Sequence, residues 1–240
     1  MLITSVSNLK IKYINKLKNS KFMNSEKKFI VEGKHLVSEA KKNNILLETY
    51  STDEVNYGVN NTLVTNEVMN KISDLPSFAN VIGICKFMDL NYTLGDKIII
   101  LDNVQDPGNI GTIIRSAKAF NFDNVILGLG CPNMYSSKVI RASQGMIFNE
   151  NIQSKDLSIF IPYLIKSGYD VYGTDVNNGI SIEKINKKNK IAIVMGNEGN
   201  GLNPDLSKLL DKNIYLNMNS DCESLNVAVA SSIIMYEINK

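Results

Sequence analysis

One carboxylate stands among three glycines in the stretch IAIVMGNEGNGL, residues 191–202. The apolar run Ile191–Met195 stops at Gly196, and Gly199 and Gly201 follow with Glu198 among them. Downstream, DCESLNVAVASSI (221–233) opens a helix, with Ser224 as candidate N-cap ahead of a Leu225, Val229, Ile233, Tyr236 stripe. A buried strand ending in a Gly-rich loop, and a helix starting at a polar cap, present many free backbone N–H and C=O groups. Such groups suit a small polar ligand, so these two stretches read as a cofactor site. A third stretch, DNVQDPGNIGTIIRSAKAF (102–120), adds Asn109 and Arg115, six residues apart.

Arg115 carries extra weight because arginine is scarce. Of 26 basic residues only Arg115 and Arg141 are arginine. A planar fork kept in a lysine-rich chain points to bidentate binding of phosphate or carboxylate. The glycine spacing fits neither G-x-G-x-x-G nor G-x-x-x-x-G-K-[ST], which excludes a Rossmann dinucleotide site and a P-loop. The sole histidine, His35, lies far from these stretches in the sequence.

The elements that must position these residues follow from periodicity. Residues 8–19 read as a helix with Leu9, Tyr13, Ile14 and Leu17 inward. Strands are expected at 29–31, 45–50, 62–65 and 81–87, with helices at 34–42 and 66–72. The polar stretch MDLNYTLGDK (88–97) reads as a linker. Beyond it KIIILD (97–102) has the look of a fully buried parallel strand. A helix at 110–120, a strand at 125–128, a short helix at 137–142, a strand at 146–149 and a helix at 157–166 follow. Strands at 169–173, 191–195 and 214–216 and a helix at 224–238 complete the pattern. The expectation is a small α/β domain over 1–90 and a parallel-sheet α/β domain over 97–240. In such sheets, sites lie at the C-terminal ends of strands.

Composition narrows the class. Hydrophobic content of 44% and charged content of 21% are those of a globular protein. No apolar run approaches the ~20 residues of a membrane helix, and the N-terminus lacks a signal-peptide core. Cys85, Cys131 and Cys222 are isolated, which argues against a disulfide framework or a zinc site and fits a reducing cytoplasm. Net charge is only +2, but eight lysines crowd the first 34 residues against Glu26 and Glu32. A basic arm of this kind fits a phosphate backbone; it also fits a solvated helix face.

The three motifs DNVQDPGNIGTIIRSAKAF, VMGNEGNGL and ESLNVAVA, in this order, resemble the signature motifs of the SpoU (TrmH) family of RNA ribose 2′-O-methyltransferases. SSKVIRASQGMIF (136–148) extends the match, and SVSNLKIKYINKL (5–17) with KKFIVEGKHLVSEA (27–40) resembles the family's L30e-like substrate-binding domain. The resemblance implies a deep trefoil knot, a homodimer with sites at the subunit interface, and S-adenosyl-L-methionine (SAM) as methyl donor. It places Asn109, Arg115, Glu198, Ser224 and Asn226 in the catalytic site. It places Thr174, Met195, Gly196, Gly201, Leu216, Met218 and Leu225 around the cofactor. It implies no metal and no membrane, and RNA as partner, with rRNA favoured over tRNA through the L30e-like unit. Taken singly, Asn109, Ser224 and Asn226 are ordinary helix-start residues and Glu198 an ordinary loop carboxylate; the joint pattern carries the assignment. One departure stands out. Where the family has Ile-Pro-Met-x-Gly, this chain has Leu216-Asn217-Met218-Asn219-Ser220, which implies a looser loop around the adenine.

Methyl transfer is a direct displacement, with the acceptor oxygen about 3 Å from the methyl group and in line with the leaving sulfur. A ribose hydroxyl must lose its proton, and the expected catalytic domain has no histidine to take it. The family proposal is an arginine base. A guanidinium stays protonated, with a pKa above ~12, so Arg115 is better read as gripping the phosphate beside the target ribose. The alternative functions are a non-catalytic RNA-binding or ribosome-assembly factor, a tRNA 2′-O-methyltransferase and an antibiotic-resistance methylase of rRNA.

Overall fold

A computed structural model describes residues 2–75, 79–88, 93–176, 178–187, 190–210 and 212–240. In chain order the strands are β1 (Leu2–Ile3), β2 (Lys28–Glu32), β3 (Leu46–Ser51), β4 (Asn60–Val64), β5 (Val81–Lys86) and β6 (Lys97–Leu101). Then come β7 (Asn124–Gly128), β8 (Asn151–Lys155), β9 (Asp170–Thr174), β10 (Ile180–Ser181), β11 (Ile191–Met195) and β12 (Lys212–Tyr215). The helices are α1 (Leu9–Leu17), α2 (Ser20–Glu26), α3 (Lys34–Lys42), α4 (Asn66–Ile72), α5 (Pro107–Ala119), α6 (Ser137–Ala142), α7 (Leu157–Lys166), α8 (Pro204–Ser207) and α9 (Val227–Asn239).

The chain forms two compact units: Met1–Asp89 with Asn133–Asn149, and Leu90–Pro132 with Glu150–Lys240. In the first, a five-stranded sheet runs β1-β4-β3-β5-β2. Its strands β1, β4 and β3 are parallel, while β5 runs antiparallel to β3 and β2. Helix α1 is capped by Asn8, whose side chain accepts from Lys10 N. Its buried side chains are Ile11, Ile14 and Leu17. At about 100° per residue these three share a face that Leu9 opposes, and Leu9 is 82% exposed, not inward as its hydrophobicity suggests.

Residues 133–149 join this unit and not the second, where the sequence reading had put them. Tyr135 stacks on Phe87 with centroids 3.9 Å apart and packs against Phe29 at 4.8 Å. Phe148 lies 6.0 Å from Phe29. Arg141 Nη1 sits 3.8 Å from Oε1 of the buried Glu32, and His35 Nε2 lies 3.2 Å from the Gln144 carbonyl. Met146–Asn149, expected as a strand, is a turn of 3₁₀ helix. The strand comes next, as β8, a polar edge strand whose NIQSK sequence carries little β signal. Of the expected linker 88–97, residues 89–92 lie outside the described residues. Thr93 and Gly95 belong to the second unit: the Thr93 carbonyl accepts from Asn124 and Asn151 side chains, and Gly95 N donates to Asn124 Oδ1.

The second unit is a seven-stranded, wholly parallel sheet in the order β10-β12-β9-β11-β6-β7-β8. The apolar strands β7 and β11 are buried along their whole length, as two covered faces require. The chain builds outward from β6 through β7 to β8, then crosses to β9 and returns β11 between β9 and β6. The strand order therefore reverses beside β6 and β11, and that reversal opens a crevice at their C-terminal ends. Helix α9 begins at Asn226, whose side chain accepts from Ala228 N and Val229 N; Ser224 is not the cap. Its buried face is Val227, Ala228, Ser231, Ile234, Met235 and Ile238. The predicted stripe of Leu225, Val229, Ile233 and Tyr236 is instead exposed. Among the described residues no helix is long and apolar enough to cross a membrane.

Candidate active site

The loop after β6 sets the first part of the site. Asp106 is the N-cap of α5, accepting from Asn109 N at 2.8 Å, and Pro107 opens the helix with its fixed φ. Asn109 is therefore not the cap, and its side-chain amide is free for other work. Its Nδ2 donates to Glu198 Oε1 at 2.8 Å, and its Oδ1 accepts from Asn226 Nδ2 at 3.1 Å. Glu198 Oε2 accepts from Gln105 N at 3.5 Å.

The direction of this chain follows from its ends. Asn226 Oδ1 is committed to capping α9, so its Nδ2 must donate to Asn109 Oδ1. That leaves Asn109 Nδ2 to donate, and a carboxylate is the acceptor it meets. Three strand-end loops are thus tied together by side chains 89 and 117 residues apart in sequence.

The glycine-rich loop is organised by Asn197. Its backbone N–H and C=O both pair with Gly201, its Oδ1 accepts from Gly199 N and Asn200 N, and its Nδ2 donates to the Asn103 carbonyl. Gly201 takes φ +67°, the left-handed region that suits glycine. At Gly196 a Cβ would fall 2.3 Å from Gly201 C and 2.4 Å from Leu202 N, so only glycine lets the loop close. Buried Asp102 anchors the far end, accepting from Asn203 N at 2.7 Å.

Behind this loop lies a cavity of about 560 Å³, in the range of small-molecule sites. Thr174, Met195, Gly196, Gly201, Leu216, Met218 and Leu225 all line it, as do Glu198 and Ser224. Asn109 and Asn226 do not line it but connect to it through Glu198. Arg115 does not line it either; it is exposed on α5, six residues past Asn109. The walls combine apolar Met195, Leu202, Leu216, Met218 and Ile234 with the carboxylates Asp175, Glu198 and Glu223. An apolar slot rimmed by carboxylates suits an amphipathic cation, and SAM, with its sulfonium and adenine, is one. Thr174 Oγ1 donates to the Val194 carbonyl, joining the ends of β9 and β11.

Asn217, standing where the family has proline, donates from Nδ2 to Ser181 Oγ at 3.3 Å. Cys131 follows β7; burial pushes its thiol pKa up, and its Sγ donates to the Leu101 carbonyl at 3.4 Å. Sequence reasoning overlooked Asp106 and Asn197. The Asp-Pro pair at 106–107 is the signal that finds the first; an asparagine among glycines is too common to find the second.

Comparisons with known proteins bear on the family and the fold. Residues 96–236 match the model of the SpoU rRNA Methylase family, and residues 8–83 match the MRM3-like substrate binding domain. The chain is 32% identical over 243 residues to the 23S rRNA (guanosine(2553)-2′-O)-methyltransferase RlmP of Bacillus subtilis, covering 98% of each. Among solved structures, the AdoMet-bound rRNA methyltransferase from Sinorhizobium meliloti aligns with a TM-score of 0.87 at 26% identity, over 99% of this chain and 97% of that one. The SpoU methyltransferase AviRb from Streptomyces viridochromogenes shares the fold, with a TM-score of 0.85 at 20% identity over 97% of each chain.

Proposed function

Because the chain belongs to the SpoU rRNA Methylase family, we propose that it transfers a methyl group from SAM to a ribose 2′-hydroxyl of 23S ribosomal RNA. The observation that carries this reading is the Asn226–Asn109–Glu198 hydrogen-bond chain set against the cavity. Polar side chains from three loops meet in that chain, and one of them, Glu198, lines the cavity.

Bound SAM supplies an electrophilic methyl group on a sulfonium. Leu216, Met218 and Leu225 would enclose its apolar parts, and the backbone around Gly196 and Gly201 its polar ones, with Thr174 and Met195 closing the wall. Asn109 and Glu198, held at fixed orientation by Asn226, would position the target ribose, with Ser224 beside them. Arg115 would grip the neighbouring phosphate and stabilise the oxyanion that develops at O2′. The proton leaves through that phosphate or through water, since a guanidinium cannot accept it.

Arg115 needs a route to the reacting atoms that a single chain does not supply. Val229, Ile233 and Tyr236 leave an exposed apolar stripe on α9, the helix that α5 packs against through Ser116 and Ser232. A second copy seated on this stripe would cover it and could bring Arg115 to its partner's cavity. We therefore propose a homodimer; the trefoil knot and the cytoplasmic location are proposed from membership of the family alone. The proline-less 217–220 loop is the one feature that favours a non-catalytic binding factor. Its Asn217–Ser181 bond weakens that case.

The test is mass-spectrometric mapping of ribose methylation in total rRNA and tRNA, with and without the gene. Loss of a single 2′-O-methyl mark in 23S rRNA is expected. Unchanged marks in both pools would overturn the enzymatic reading.

A further inference from the structure

The first unit carries a surface that the methyl-transfer chemistry does not use. On α1, Leu9, Lys12, Tyr13 and Lys16 fall at i, i+3, i+4 and i+7, one continuous face opposite buried Ile11, Ile14 and Leu17. Leu9 is 82% exposed although nothing in the core requires it there. Tyr13 and Phe22 are half-buried and meet edge to face, with centroids 5.7 Å apart and planes at 77°. Lys28 Nζ lies 5.6 Å from the Tyr13 ring centroid and Lys16 Nζ lies 5.9 Å from that of Phe22. The Tyr13 hydroxyl donates to Glu26 Oε2 at 2.8 Å, which locks the ring in one orientation.

Lysines alone would suit the phosphates of any duplex, whose stacked bases are out of reach. An exposed leucine beside a fixed aromatic ring, inside a ring of lysines, is built for something else. Apolar faces need a flat apolar surface to cover them, and the lysines require that surface to carry negative charge. An unpaired nucleotide satisfies both: its base stacks on the ring and its flanking phosphates meet the ammonium groups. Glu26 keeps its charge in the bond to the Tyr13 hydroxyl, but Lys12, Lys16 and Lys28 outnumber it on this face.

We propose that the α1 face of Leu9, Lys12, Tyr13 and Lys16, with Phe22 and Lys28, is a docking site for an unpaired nucleotide of the RNA substrate, so that the first unit selects single-stranded or bulged RNA over duplex. This rests on the reading of the chain as an RNA methyltransferase, and it names the structural class of RNA that the first unit takes.

The full-length chain is titrated against a short fluorescent single-stranded oligoribonucleotide and against the same strand annealed to its complement. Tyr13→Ala weakens single-strand binding about tenfold, as loss of an aromatic stacking partner does; Leu9→Ala weakens it less, and both leave duplex binding within twofold. Leu9→Tyr, at a position too exposed to disturb the core, tightens single-strand binding. Lys12→Gln with Lys16→Gln weakens both RNAs and lowers the salt dependence by roughly one to two phosphate contacts. SAM binding stays as in the parent for every variant, which separates RNA docking from misfolding. Equal single-strand affinity for the parent, Leu9→Ala and Leu9→Tyr chains would overturn the proposal, as would equal weakening of duplex binding by the Leu9 variants. Methyl transfer by the parent to 23S rRNA is measured alongside. If methyl transfer occurs while the Leu9 variants bind as the parent does, the docking site alone fails. If the Leu9 effects appear without methyl transfer, the enzymatic reading fails and the docking site stands.

Discussion

Asn226 performs two tasks with one amide, and the two can be separated. Its oxygen caps α9 and its nitrogen reaches Asn109. Asn226→Asp keeps the acceptor at a helix N-terminus, where a negative charge is welcome, but sets a carboxylate against the Asn109 oxygen. Its melting temperature should match the parent's within about 2 °C, while turnover falls about tenfold or more; calorimetry and a methyl-transfer assay read the two. Asn226→Ala loses the cap as well, a cost of about 1 kcal/mol. For Arg115 the fork is the issue. Arg115→Lys keeps the charge and should lose about 100-fold in single-turnover rate, the scale of one oxyanion-stabilising group, with SAM affinity unchanged. A parental rate would remove the argument from geometry. Glu150 makes a different, pH-dependent contribution. Burial pushes its pKa up to about 7, against the opposing pull of Lys118, whose Nζ is 3.9 Å away. Because the folded pKa lies above the unfolded value, the folded state holds this proton more tightly. The stability so gained is complete below about pH 4 and is lost as pH rises through about 7. Thermal melts of Glu150→Gln should therefore lack the part of the decline between about pH 5 and about pH 8 that the parent shows.

At the scale of elements, α9 shows what periodicity conveys and what it leaves out. The helix is evident from its apolar spacing, yet the stripe from Leu225 to Tyr236 lies on the outside and the smaller residues Val227, Ala228 and Ser231 lie inside. The buried face continues through Ile234, Met235 and Ile238, so both faces are apolar and hydrophobicity alone does not choose between them. Ser224 looks like the cap because serine caps often, but the side chain that accepts from the first-turn N–H groups is that of Asn226. By contrast β11, α3, α4 and α7 have the expected bounds, since each is a continuous or cleanly periodic pattern. The glycine loop, Glu198 and the third motif could be read as a site from composition and order. The hydrogen-bond chain that joins them could not, because it spans more than a hundred residues. If the exposed stripe is a subunit interface, Ile233→Glu should halve the mass seen by light scattering and leave the circular dichroism spectrum unchanged. It should also abolish methyl transfer while SAM binding persists.

For the whole molecule, the division of the chain matters more than its length. Tyr135, Val139, Ile140, Ile147 and Phe148 are buried, and their hydrophobicity announces burial without saying against which sheet. The linker at 88–97 suggests two consecutive domains, but 133–149 leaves one unit to complete the other. A fragment of residues 97–240 would therefore carry five buried side chains without the surface that covers them. It should bind a hydrophobic dye such as ANS strongly and aggregate, and changing Tyr135 and Phe148 to polar residues should reduce both effects. Dye binding no greater than that of the full chain would show that 133–149 can fold against the second unit alone.

The same interleaving has a consequence during synthesis. A ribosome releases β1 to β5 first, then β6, α5 and β7, and only afterwards the segment carrying Tyr135, Arg141 and Phe148. Until then Phe29 has no ring from that segment to pack against and buried Glu32 has no guanidinium beside it. At about 5–20 residues per second the first unit waits roughly three to twelve seconds for its last piece. The nascent first unit is thus left open while the opening strands of the second sheet are being made, and the segment that closes it also fixes the point at which the chain must return to build β8.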